Sequence, residues 1–109
     1  MREDFEPFEN AEEVWFWFCT SASARSEGLR SKSDYWGKPR CCELPDIQQI
    51  IKQMKRNRHL NNRQLRVMVK WGQLQVPPYY ERSAKRSEIR LWETAMLNFE
   101  FYLKRRRIL

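Results

Sequence analysis

The sequence predicts an all-α fold, a single domain of about four helices with a helix-turn-helix as its candidate core. Three observations carry this expectation. The 109 residues include only three glycines and few β-branched side chains, a composition that favours helix over sheet. Apolar residues recur at helical spacing, at Ile47, Ile50, Ile51 and Met54 and again at Leu65, Met68 and Val69. Turn and stop residues stand between the apolar runs: Gly28, Pro45, Gly72 and Pro77-Pro78. With 41% apolar and 32% charged residues, a chain of this length forms one modest core under a polar surface.

Residues 1–9 read as an acidic mobile arm, with Pro7 opposing an early helix, and residues 10–109 as the helical domain. Asn10 is a good N-cap, and Glu12 and Glu13 suit a first turn. A first helix is therefore expected from Ala11 to about Glu27, closed by Gly28. Its centre reads Trp15-Phe16-Trp17-Phe18. Consecutive helical residues lie about 100° apart, so these four rings cover every face. Either other helices surround this one, or part of it meets a partner.

Residues 29–45 have no period and read as a long connection, which Tyr35 and Trp36 should pin to the core. The second helix is expected over 45–58, with Pro45 in its first turn and Ile47, Ile50, Ile51 and Met54 on its inner face. After a turn of about four residues, Asn61 with Gln64 forms a capping-box pair for a third helix over 61–72, which Gly72 should terminate. The last helix is expected over 81–104, with Ile89, Trp92, Met96, Phe99 and Leu103 as a heptad seam widened by Leu91, Ala95 and Tyr102. The expected core is Val14, Phe18, Ile47, Ile50, Ile51, Met54, Leu65, Met68, Trp92, Met96 and Phe99.

Charge supplies the functional signal. Between Asp46 and Glu81 there is no acidic residue, while Lys52, Lys55, Arg56, Arg58, Arg63, Arg66 and Lys70 are basic. An acid-free basic helical pair is what a phosphate backbone attracts. Arg63, Arg66 and Lys70, spaced 3 and 4, share one face of the third helix. Asn62, beside Asn61 and Gln64, stands at the start of that helix, where a recognition helix meets base edges. Lys52, Arg56 and Arg58 are placed to contact phosphates and fix the register. Arg82, Lys85, Arg86 and Arg90 form a second basic cluster, and Lys104 to Arg107 a third. The bland alternative is a solvated basic face with cations at helix C-termini. The acidic residues 1–13, six acids against one base, can shield the basic body or simply favour a helix start.

Other chemistry lacks support. The sequence has no glycine-rich phosphate loop, H-E-x-x-H or G-x-S-x-G, so an enzyme is not expected. Cys19, Cys41 and Cys42 with His59 as the sole histidine give no C-x-x-C spacing, so no metal or other cofactor is expected. His59, in its basic turn, is expected to be exposed or to face phosphate. An odd cysteine count with one adjacent pair is a poor disulfide framework, and reduced thiols suggest the cytoplasm. No stretch near the start has the form of a signal peptide, and the apolar run Val14–Cys19 is far too short to span a bilayer.

The chain resembles a family of small, uncharacterised, mainly alphaproteobacterial basic helical proteins of unassigned function. The resemblance rests on Trp15-Phe16-Trp17-Phe18, Cys42-Glu43 with Asp46-Ile47, Leu60 and Leu65, Trp71-Gly72, Pro77-Pro78, Leu91-Trp92 and Ala95-Met96. It covers about residues 13–109 and implies a bacterial cytosolic protein, without an activity. The family's chains end in a Lys-Gly-Ile-like tail, whereas this one ends Arg106-Arg107-Ile108-Leu109.

The expected function is nucleic-acid binding, DNA more than RNA, by a transcriptional regulator using a helix-turn-helix at about 46–72. The alternative is an adaptor that binds an acidic protein partner through the aromatic first helix and the basic faces, with a homodimer as a variant. Exposure of Trp15, Phe16 and Trp17 would favour the adaptor. Their burial beside an open basic face would favour DNA.

Overall fold

The computed structural model describes residues 7–26 and 41–109, with side chains described outside 23–26. Among these residues, four α-helices form one all-α domain: α1 (Ala11–Ser26), α2 (Leu44–Arg56), α3 (Asn62–Leu74) and α4 (Arg86–Arg105), with a 3-10 turn at Pro78–Tyr80 before α4. No strand occurs among the described residues. The positions of Gly28, Tyr35 and Trp36 lie outside them. No described helix is long and apolar enough to cross a membrane.

α1 starts where its cap predicts. The Asn10 side chain accepts the Glu13 N–H at 2.8 Å, which caps the helix, and the Glu13 carboxylate accepts the N–H of Glu9, the residue before the cap, at 2.6 Å. The aromatic quartet finds its partners because α1 contacts α2, α3 and α4. Trp15 meets Phe99 edge-on at 5.9 Å, Phe16 stacks on Trp92 at 5.8 Å, and Trp17 packs on Phe8 at 5.4 Å. Phe8, within the segment expected to be an arm, is buried. Trp15 also donates its indole N–H to the Met68 carbonyl at 2.7 Å, tying α1 to α3.

α4 is the element on which α2 and α3 are assembled. Both pack on it and on α1, while direct contact between α2 and α3 is marginal. The seam residues Trp92, Ala95, Met96, Phe99, Tyr102 and Leu103 are buried. Ile47, Ile50 and Met54 of α2 and Val67, Met68 and Trp71 of α3 complete the core with Val14 and Trp15. Three residues expected in the core, Phe18, Ile51 and Leu65, are only half buried at its edge. Each sits to one side of its helix's buried arc, where a flank still touches solvent. Trp15, Leu60, Trp71 and Ile108 are core residues not on the expected list.

Two boundaries depart from expectation. α4 begins at Arg86, not Glu81, because the chain first makes the 3-10 turn and then a further turn, with the Ala84 N–H on the Glu81 carbonyl at 3.2 Å. The Glu88 carboxylate then accepts the Lys85 N–H at 3.1 Å, fixing the true start. Gly72 does not terminate α3. The helix continues to Leu74 and turns at Gln75, whose φ is 60°. Gly72 is instead the point of closest approach to α1: a Cβ there would overlap Cys19 Sγ and lie 2.6 Å from Trp15 Nε1. Burial pushes the Cys19 thiol up to about 11, so it is protonated at neutral pH.

A carboxylate braces the opposite side of α4. Glu12 accepts the Trp92 indole N–H at 2.8 Å and the Tyr79 hydroxyl at 2.6 Å. One side chain of α1 thereby holds α4 and the 3-10 turn together. Desolvation and the bond to Glu12 raise the Tyr79 phenol above its ordinary pKa, so it remains a donor.

Candidate nucleic-acid interface

The turn between α2 and α3 runs from Asn57 to Asn61, five residues rather than four. It is rigidly built. The His59 N–H bonds the Met54 carbonyl at 2.8 Å and the Arg58 N–H bonds the Lys55 carbonyl at 3.1 Å, the two bonds of a Schellman ending. That motif puts Arg58 in the left-handed region, φ 63°. Tyr102 of α4 anchors the turn: its hydroxyl accepts from Asn57 Nδ2 at 2.9 Å and lies 2.6 Å from His59 Nδ1. Asn98 Nδ2 donates to the His59 carbonyl at 3.0 Å. His59 is exposed, as expected, but one ring nitrogen is committed to Tyr102 rather than left for phosphate. Leu60 is buried beneath the turn, and Asn61 with Gln64 then caps α3 by the reciprocal bonds that their spacing predicts, at 2.8 and 2.9 Å.

All seven residues proposed from the sequence are exposed. On α3, Asn62, Arg63, Arg66 and Lys70 fall within about 100° around the helix axis, opposite the buried Met68 and Trp71. On α2, Lys52 and Arg56 share the outer face with Lys55, away from Ile47, Ile50 and Met54. Arg58 stands at the turn between the helices.

Their electrostatic surroundings differ. Among the described residues, Lys52, Arg56, Arg58, Arg63 and Arg66 have no carboxylate within ion-pair distance. Lys70 does: its ammonium is 2.7 Å from Glu88 Oε2, and it also lies 4.9 Å from the centre of the Trp71 ring. The hydrogen bond from Lys70 holds the Glu88 carboxyl below its usual range. The stretch 47–80 is free of acid in sequence, but folding brings in one acid from α4. Lys70 therefore offers less free charge than its neighbours.

The sequence reading also missed residues that build the site. Tyr102 and Asn98 position the turn, although their helical spacing marked Tyr102 only as an apolar seam residue. Arg106 belongs beside α2, with Nη atoms 3.4 Å from Gln49 Oε1 and 3.5 Å from Gln53 Oε1.

The aromatic helix is not an open docking face, since Trp15 is buried and Phe16 and Trp17 are half buried against the core. The exposed large apolar residues lie elsewhere, foremost Tyr80, Leu97, Leu74 and Phe101. No described group of three or more His, Cys, Asp and Glu side chains is arranged to hold a metal ion. None of the three cysteines forms a disulfide. Comparison with protein families, with curated protein sequences and with solved structures finds no match to this chain.

Proposed function

We propose that this protein binds nucleic acid, DNA in preference to RNA, and acts as a transcriptional regulator through α2, the turn and α3. One observation supports the reading above the others: five exposed cations of this segment, Lys52, Arg56, Arg58, Arg63 and Arg66, carry no carboxylate partner among the described residues. An unneutralised positive surface is the physical requirement for displacing counterions from a polyanion. Asn62, Arg63 and Arg66 are the side chains suited to base edges, because Arg and Asn bond them bidentately. Lys52, Arg56 and Arg58 neutralise phosphates, and Lys70 is a secondary contact that must first leave Glu88.

The rigid turn supports the same reading. Tyr102, Asn98 and the buried Leu60 fix the angle between α2 and α3, so a groove-reading helix is presented without an ordering cost. The two helices rest on α4 rather than on each other, so α4 takes the place of a direct α2–α3 contact in setting the geometry.

Arg66→Ala tests the assignment. If Arg66 reads a base, affinity for the cognate site falls by about 1–3 kcal/mol and specificity relaxes at that position. If it neutralises a phosphate, binding weakens on every duplex and the salt slope falls by about one unit. Stability should shift by no more than about 0.5 kcal/mol, because the side chain is solvated. Gel-shift titration beside thermal melting separates these outcomes. Unchanged affinity in Arg66→Ala and in Arg63→Ala/Arg66→Ala would remove α3 from the interface.

A further inference from the structure

Among the described residues, three other than glycine adopt left-handed backbone conformations: Arg58, Gln75 and Arg107, with φ of 63°, 60° and 60°. Each occupies the position after a helix where glycine is the favoured residue. Gln75 has a visible reason to be there. Its Nε2 donates to the Gly72 carbonyl at 2.6 Å and to the Phe16 carbonyl at 3.1 Å, closing α3 against α1. The side chains of Arg58 and Arg107 make no comparable contact among the described residues. Their conformation is strained, and what remains distinctive about them is an exposed charge.

The end of the chain is not loose. The Ile108 N–H bonds the Leu103 carbonyl at 2.9 Å and the Arg107 N–H bonds the Lys104 carbonyl at 3.0 Å, a Schellman ending like that of α2. Ile108 is buried, and its carbonyl accepts from Cys41 Sγ at 3.6 Å just before α2 begins. α2 and α4 are antiparallel, since Asn57 meets Tyr102 while Gln49 meets Arg106. Burial of Ile108 therefore holds the preceding Arg106 beside the middle of α2, at Gln49 and Gln53, with Arg107 next to it in sequence. Around that point α2 exposes Gln48, Gln49 and Gln53; its own cations start at Lys52, and its acids, Glu43 and Asp46, lie together at its N-terminal end. Arg106 lies across Gln49 and Gln53, neutral amides that orient a guanidinium without cancelling its charge.

We propose that Arg106 and Arg107 belong to the nucleic-acid interface and form, with Lys52, Arg56 and Arg58, a phosphate-binding track along the outer side of α2, separate from the α3 face. This rests on the function proposed above and extends it. The partner chemistry is a phosphodiester backbone. From the level of Gln49, where Arg106 lies, to Arg58 the track runs about 14 Å, or about four nucleotide steps of one strand. Folding joins to α2 a basic cluster that lies about fifty residues away in sequence. The competing account is that these arginines only complement the C-terminal dipoles of α2 and α4.

The test uses the full chain with Arg106→Ala, Arg107→Gly and the double variant, titrated onto a labelled DNA duplex, an RNA duplex and a DNA duplex of scrambled sequence over a range of salt. Each loss of a track cation should lower the salt slope by about 0.9 and weaken binding about eightfold at 0.1 M salt, equally on both DNA duplexes. Arg106→Lys should keep the slope, because a phosphate contact needs only the charge. Arg107→Gly should melt no lower than the parent, since glycine relieves the backbone strain, and it should still bind more weakly. That combination separates a binding role from a structural one.

Slopes unchanged in both arginine variants, while Arg63→Ala/Arg66→Ala weakens binding, would overturn the track and leave the α3 reading standing. No binding of the parent chain to any duplex would overturn both. Loss in the tail variants with none in the α3 variants would support the track and transfer the whole interface to α2. A loss on the RNA duplex alone would support the track with RNA as the ligand.

Discussion

Replacing Trp92 with alanine should cost about 3–5 kcal/mol of folding stability, a large share of the roughly 5–15 kcal/mol that holds a domain of this size. Trp92 is fully buried in the first half of α4 and stacks on Phe16 at 5.8 Å. The substitution empties an aromatic-sized volume between α1 and α4. It also deprives the Glu12 carboxylate of one of its two donors, leaving Tyr79 to hold it alone. Trp92→Phe separates the two contributions: it keeps most of the apolar contact and loses the N–H. Its cost should be smaller, about 1–3 kcal/mol, the range for a hydrogen bond to a charged group. Urea denaturation of the two variants checks this. A loss below about 1.5 kcal/mol for Trp92→Ala would mean that α1 and α4 are not joined through this residue.

The second large effect concerns Gly72. In an exposed helix, glycine to alanine stabilises by about 1 kcal/mol. Here Gly72→Ala should destabilise by about 1–3 kcal/mol, because a Cβ would overlap Cys19 Sγ and sit 2.6 Å from Trp15 Nε1. Trp15 cannot easily yield, since its N–H is held by the Met68 carbonyl at 2.7 Å. Adding Cys19→Ala removes the nearest obstructing atom and should recover part of the loss. In a double-mutant cycle the pair should therefore couple favourably. Stabilisation by Gly72→Ala alone would show that α1 and α3 do not approach here.

These two residues also show where the sequence was legible. Gly72 follows an apolar stripe, and that signal is the same whether glycine ends a helix or admits a neighbouring one. Only the position of α1 distinguishes the two uses. Trp92 was identifiable as core from its seam, but its bond to Glu12 joins residues eighty positions apart and leaves no local pattern. Signals carried within one turn of helix were reliable. Asn10 caps α1 as its residue type predicts, Asn61 with Gln64 makes the capping bonds that their spacing predicts, and Ile47, Ile50 and Met54 face inward. α4 starts at Arg86 rather than Glu81 because the backbone after Pro77-Pro78 spends two turns changing direction, which no apolar period marks.

The candidate interface divides in the same way. Exposure of Asn62, Arg63, Arg66, Lys52, Arg56 and Arg58 follows from helical periodicity and was readable. The pairing of Lys70 with Glu88, the anchoring of the turn by Tyr102 and the position of Arg106 over Gln49 depend on how α4 packs. These contacts revise the charge of the face that the sequence suggested: Lys70 is paired with Glu88, and Arg106 is set beside α2.

On the proposed reading, this unneutralised basic surface binds a nucleic-acid backbone. Fluorescence anisotropy of the full chain with a short labelled DNA duplex, over a series of salt concentrations, tests it most directly. The five unpaired cations assigned to the interface on α2, the turn and α3, each displacing about 0.9 counterion, predict that log K falls linearly with log salt with a slope of about −4.5 or steeper. No binding at about 50 mM salt, or binding with a flat salt dependence, would contradict the claim and leave the cations as a solvated surface.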